Sequence, residues 1–164
     1  MNKKLYMFII LIGFSTTSLA FNDSSESKSS VKVMTQGLNH VGLTVSKLHE
    51  SVAFFVDTLG WRVAGGRPNY PATFVTDGKV FVTLWQVTDP DSFIKFDRKN
   101  NVGLHHLALT VAKRSDLDEL SARFKQVDGV VIEFEPELNG KGPTVHMMIR
   151  EPSGNRIEFA YRPK

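Results

Sequence analysis

The stretch Leu38-Asn39-His40-Val41-Gly42-Leu43-Thr44-Val45-Ser46-Lys47 returns 66 residues later as Leu104-His105-His106-Leu107-Ala108-Leu109-Thr110-Val111-Ala112-Lys113. Leucine, histidine, leucine, threonine, valine and lysine recur in register. A repeat present only twice marks a duplicated half-domain and not a stacked array. Working outward, each copy opens the same series of elements. In the first unit, 37–87, a strand over 38–45 leads to a helix over 47–58, with Leu48, Val52, Phe55, Val56 and Leu59 at helical spacing. Gly60 stands where a helix stop is expected. Short runs rich in Val, Phe and Thr follow at 61–64, 72–76 and 80–87, with Asp77-Gly78 as the hairpin turn. In the second unit, 103–164, a strand over 104–111 leads to a helix over 115–127 with Leu117, Leu120 and Phe124 inward. Ser115 and Asp118 have capping-box spacing. Strands near 130–134, 144–150 and 155–161 complete the unit, the last two joined by Pro152-Ser153-Gly154. Residues 88–102, with Pro90 and several charges, are the linker. The fold class is α+β: two βαβββ modules forming a cupped mixed β-sheet.

Side chains along a strand alternate faces. Val41, Leu43 and Val45 suit the face under the helix, which sends His40, Gly42 and Thr44 to the other. Leu107, Leu109 and Val111 do the same in the repeat, leaving His106, Ala108 and Thr110 opposite. In the final strand Ile157, Phe159 and Tyr161 go one way, and Arg156, Glu158 and Ala160 the other. Two histidines and a glutamate thus occupy the face away from the helices, and a curved sheet would let them converge. Two imidazoles and a carboxylate suit a divalent ion such as Fe, Mn, Ni or Zn and leave positions for water or substrate. The plainer alternative is two core histidines bonded to backbone, with Glu158 paired to Arg156 or Arg150.

Aligning the hairpin after Asp77-Gly78 with the last hairpin puts Thr83 at the place equivalent to Glu158. Phe81, Thr83 and Trp85 then share the cup face and shape a substrate pocket, unless Trp85 simply fills core. Gln86 would reach the cup only through a bulge. His146 shares a face with Met148 and, beside Glu158, is a candidate acid–base residue. His105 has the wrong parity for the cup, and His49 lies on the first helix, facing solvent. The Gly-rich 139–143 loop before a cup strand could close over a ligand.

Composition limits the function classes. The 164 residues carry 20 Lys and Arg against 17 Asp and Glu, a formal charge of +3. Without Lys3 and Lys4, in a segment expected to be removed, the balance is about +1. No basic cluster with interleaved aromatics is present, so nucleic acid is not an expected partner. There is no cysteine, which excludes thiolate catalysis, disulfides and cysteine-ligated zinc. Lys3-Lys4, the apolar run 5–14 and Ser18-Leu19-Ala20 read as a signal peptide over 1–20. The run is short for a membrane span. The mature protein is therefore expected to be periplasmic or secreted, with no stable membrane association. Residues 21–36, rich in serine, read as a disordered spacer.

The motifs LNHVGLTV (38–45), FFVDTLGW (54–61), GLHHLAL (103–109) and EPSGNRIEF (151–159) resemble the vicinal oxygen chelate superfamily, which groups glyoxalases, bleomycin-resistance proteins and extradiol dioxygenases. The resemblance spans nearly all of 37–164. It implies a metal held in the cup by His40, His106 and Glu158, a small oxygen-rich or aromatic substrate chelated to it, and a homodimer in which modules can pair across subunits. It also implies departures. Glyoxalase I has a glutamate where Thr83 stands, and extradiol enzymes a tyrosine near Met148. Two activities follow: a metal-dependent lyase, isomerase or dioxygenase, or a non-catalytic protein that sequesters a small molecule.

Overall fold

Alternation decides the first strand of each unit. In a computed structural model describing residues 32–164, Leu43 and Val45 are buried while Gly42 and Thr44 are exposed. Leu107 and Leu109 are buried while Ala108 and Thr110 are exposed. The expected signal segment and most of the spacer lie outside the described residues; residues 32–36 form no helix or strand.

The elements run β1 (Val41–Val45), α1 (Leu48–Ala53) with a π-helical turn Phe54–Thr58, β2 (Arg62–Arg67), β3 (Ala72–Thr76), β4 (Phe81–Gln86), β5 (Leu107–Thr110), α2 (Arg114–Phe124), β6 (Val131–Leu138), β7 (Val145–Arg150) and β8 (Arg156–Tyr161). They make two four-stranded sheets of matching order, β1-β4-β3-β2 and β5-β8-β7-β6. In each, the first strand pairs parallel with the last and the other pairings are antiparallel. This is the expected βαβββ module, twice. The helix faces of both modules share one core, in which Phe54 lies 5.7 Å from Phe124 and Phe124 lies 5.2 Å from Phe159.

Several boundaries differ from expectation for local reasons. The first helix is regular only to Ala53. Beyond it Leu59 N donates to Phe54 O and Trp61 N to Phe55 O, a widened turn. The widening buries Phe54 and Phe55 side by side, where regular helical spacing selects Phe55 alone. Gly60 closes the turn with a positive φ of 76°. The second helix starts at Arg114, not Ser115. Asp116 accepts from Lys113 N at 2.9 Å, and Asp118 pairs instead with Arg114 at 2.6 Å. β6 runs on to Leu138 through two register shifts. Asn139 N then donates to Thr144 O, so the 139–143 loop is a hairpin connection.

A buried carboxylate ties the two modules. Glu151 is 1% exposed. It accepts from Ser51 Oγ of α1 at 2.6 Å, Ser153 N at 3.1 Å, Asn155 N at 3.1 Å and Asn155 Nδ2 at 2.9 Å. Ser153 Oγ accepts from Lys47 N, and Asn155 Nδ2 also donates to Thr44 O. The EPSGN turn is thereby fastened to the end of β1 and the start of α1.

Candidate metal centre

Pairing places the site residues. Ala108 lies opposite Glu158, and Gly42 opposite Thr83. Since Ala108 follows His106 by two and Gly42 follows His40 by two, Thr83 stands at the register position of Glu158 in the duplicated sheet.

In the second module the donors meet. His106 Nε2 is 3.0 Å from Glu158 Oε2, and His146 Nδ1 is 2.5 Å from Glu158 Oε1. The Glu158 side chain is only 12% exposed. Met148 lies directly across from it on β7, and the Phe134 ring packs 4.9 Å from that of His146. Glu158 is not the partner of Arg156 or Arg150. Both arginines go to Glu133: Arg156 Nε and Nη2 reach its Oε2 at 2.9 and 2.7 Å, and Arg150 Nη2 its Oε1 at 2.7 Å. Burial pushes the Glu133 carboxyl up, but the Arg156 hydrogen bond and the charges of Arg156, Arg150 and Arg98 outweigh it and hold the group below its ordinary 4.5. Glu133 thus contributes stability above pH 4.5 that is lost as pH falls through its lowered folded value. Chemical denaturation from pH 6 to 3 should show this acid limb, shallower in Glu133→Gln; limbs of equal slope would remove Glu133 from the acid response.

His105 is the surprise on this side. β5 begins only at Leu107 and β1 only at Val41, later than the expected 104 and 38, so strand parity governs none of His40, His105 and His106. His105 Nδ1 lies 2.8 Å from His106 Nδ1, and Arg156 Nη1 donates to the His105 carbonyl at 3.3 Å. Partial removal from water, then the charges of Arg156 and His106, hold its imidazole below the usual range.

The first module supplies an aromatic face. Trp85 Nε1 donates to Thr83 Oγ1 at 2.9 Å, and that hydroxyl donates onward to Val41 O at 3.4 Å. Thr83 is thus spent on orienting Trp85. A Cβ at Gly42 would lie 3.4 Å from Thr83 Oγ1 and 3.7 Å from Trp85 Nε1, ordinary contact distances, so the indole lies close over this position of β1. Trp85 packs 5.1 Å from Tyr70 and 5.8 Å from Phe74, which lies 6.1 Å from Phe81. Tyr70 and Phe74 were not among the expected pocket residues. Phe74 pairs with Thr83 across the β3–β4 ladder and so shares its face. Gln86 does not turn to the cup: its amide accepts from Leu48 N and donates to Ser46 O at the start of α1. His49 is exposed on α1.

His40 is exposed and its Nδ1 lies 2.7 Å from Asn39 Oδ1. A single chain does not bring His40 to the His106–Glu158 pair. Among the described residues no three His, Asp or Glu side chains gather closely enough to hold a metal ion. The pair itself fits one. Donors each about 2.0–2.1 Å from a shared ion at neighbouring positions sit roughly 3 Å apart, the separation seen between His106 Nε2 and Glu158 Oε2.

A model of the glyoxalase/bleomycin resistance protein/dioxygenase superfamily matches residues 37–159. The chain belongs to this superfamily. No curated protein matches it in sequence. Among solved structures, a candidate glyoxalase from Bacillus halodurans is 26% identical with a TM-score of 0.64, over 77% of this chain and 97% of that one. A fosfomycin resistance protein from Listeria monocytogenes is 18% identical with a TM-score of 0.62, over 79% and 96%. A lactoylglutathione lyase from Agrobacterium tumefaciens is 20% identical with a TM-score of 0.56, over 77% and 94%. The superfamily gives the duplicated module and its small-molecule cup. In this chain the helix faces are buried in the common core, and each cup face keeps exposed positions.

Proposed function

We propose that the protein is a metal-dependent enzyme of lyase, isomerase or dioxygenase type, acting on a small oxygen-rich or aromatic substrate. The site forms between two copies: His40 and the aromatic face of one meet His106 and Glu158 of the other. One observation carries this reading. Glu158 is set between two histidines while a separate glutamate takes both nearby arginines. A carboxylate meant only for a salt bridge would have used the arginines.

His40, His106 and Glu158 would hold the ion, Fe, Mn, Ni or Zn by the preference of N/O donors. When bound, it supplies Lewis-acid stabilisation of negative charge on a chelated substrate oxygen. The chain does the rest. Tyr70, Phe74, Phe81 and Trp85 offer a flat apolar wall that orients an aromatic or planar substrate and excludes water. His146, hydrogen-bonded to Glu158, can hold or return a proton at Nδ1. Met148 and Phe134 keep that pair out of bulk water. The short apolar run and Ser18-Leu19-Ala20 support delivery outside the cytoplasm, where the mature domain would acquire its metal.

Complementation tests this arrangement. His40→Ala and Glu158→Gln chains, each deficient in metal binding, are co-refolded. With sites shared across a two-fold dimer, a mixed dimer regains one intact site, and random pairing restores about a quarter of wild-type metal. No recovery would place the whole site in one chain. Failure of wild-type protein to take up Mn, Fe, Ni or Zn to about one equivalent would turn the reading to metal-free sequestration, for which the aromatic wall alone suffices.

A further inference from the structure

A cavity of about 920 Å³ lies between the edge of β1, the 90–104 linker and the β7–β8 turn. Gly42 and Thr44 of β1 and Arg156 of β8 border it from the cup side, but none of His40, His106, Glu158, Phe81 or Trp85 lines it, so it adjoins the cup without including the candidate metal donors or the aromatic wall. Phe93, Phe96 and Leu104 supply apolar wall, and Arg98, Arg150 and Arg156 supply charge. The one acidic residue at its border, Glu151, is turned into its own four hydrogen bonds.

Charge in this region does not cancel. Arg150 and Arg156 share the single carboxylate of Glu133, and Arg98 has no ion-pair partner among the described residues. The lowered Glu133 carboxyl, shifted down by all three cations against its own burial, reports the same positive surplus.

The linker wall is built. Asp97 N donates to Asn101 Oδ1 at 2.7 Å, Asn101 N donates back to Asp97 O at 2.7 Å, and the Asp97 carboxylate accepts from Lys99 N and Asn100 Nδ2. Phe96 lies across Gly103 so closely that a Cβ there would come within 2.7 Å of the ring. Glycine at 103 therefore lets the linker fold back with Phe96 as a wall.

We propose that this cavity is a second ligand site, selective for a small organic anion with an apolar, ring-sized body and one carboxylate. The apolar body lies against Phe93, Phe96 and Leu104. The carboxylate takes Arg98, whose planar fork is free for two parallel hydrogen bonds, with Arg156 beside it. A bare inorganic anion gains no apolar contact, and a neutral ring gains no charge.

The test is a titration of the ¹⁵N-labelled full-length protein, followed by amide shifts, with benzoate, benzamide and inorganic phosphate as probes. Benzoate is expected to bind with a dissociation constant on the order of 1 mM for so small a ligand. It should move the amides of Gly103, Leu104, Gly154 and Arg156. Benzamide and phosphate should each bind about tenfold more weakly or less, the scale of one charge-assisted contact. Arg98→Gln, at a linker position outside the core, should weaken benzoate by a similar factor, and Glu158→Gln should leave it unchanged. Equal binding of benzoate and benzamide would overturn the proposal. So would benzoate binding that survives Arg98→Gln but is lost in Glu158→Gln, since the ligand would then occupy the cup. Absence of any benzoate shift at those amides, as when a second copy fills the cavity, would overturn it as well.

Discussion

Glu151→Ala should destabilise the domain by about 3–5 kcal/mol, from hydrogen bonds to a buried charge worth roughly 1.5–3 kcal/mol each less the desolvation that alanine no longer incurs. Four donors lose their acceptor at once: Ser51 Oγ, Ser153 N, Asn155 N and Asn155 Nδ2. Two of them are backbone amides that cannot turn away. The effect should exceed what contact loss in one module predicts, because Ser51 belongs to α1 and the rest to the β7–β8 turn. Glu151→Gln separates charge from shape: its amide nitrogen must face a donor, so it should still cost about 1–3 kcal/mol. Urea denaturation gives both values. A shift under about 1 kcal/mol for alanine would mean that water replaces the carboxylate, and that the modules are joined by their apolar core alone. Ser51→Ala combined with Glu151→Ala should be less than additive, as expected for residues in one network.

Glu158→Gln should have its largest effect on metal and a small one on folding. An amide oxygen carries no charge to set against a divalent ion. Loss of an outer partner of a metal ligand already costs about 10–100-fold in affinity, so loss of the ligand itself should exceed 100-fold. His146→Asn removes the imidazole that holds Glu158 Oε1 and should fall in the 10–100-fold range. Free Mn(II), followed by electron paramagnetic resonance during titration, distinguishes the two. Melting of the metal-free proteins should differ little, because Glu158 lies on the cup face and not in the shared core. If Glu158→Gln binds Mn(II) as wild type does, the glutamate has a structural role beside its two histidines and the metal reading is lost.

Much of this architecture was legible in the residues. Period-two alternation assigned faces to β1, β5, β4 and β8 because these strands pair without register shifts. The same regularity put Thr83 at the position of Glu158. Legibility ended where regularity did. β6 is shifted twice, so nothing in the alternation showed that Glu133 takes Arg150 and Arg156. β3 is too short to reveal Phe74 as a cup residue until its pairing with Thr83 is known. Glu151 sat in a recognisable turn motif, but its burial depends on Ser51, a hundred residues away. The position of His40 relative to the other donors was outside what alternation can state. Alternation says which face a side chain occupies, not where two sheets lie relative to each other.

The widened turn at Phe54–Thr58 makes the two halves of the duplication unequal. Arg123 Nη1 of α2 donates to Thr58 O at 2.7 Å, so this turn also offers an acceptor to the opposite helix. The second module has a regular helix in the corresponding place. A protein assembled from two copies of the second module would lack both the paired phenylalanines and that acceptor. Its halves would then meet across a poorly filled seam. Descent from a common half has left partners that are no longer interchangeable, and any symmetrised redesign must carry the extra helical residue with it.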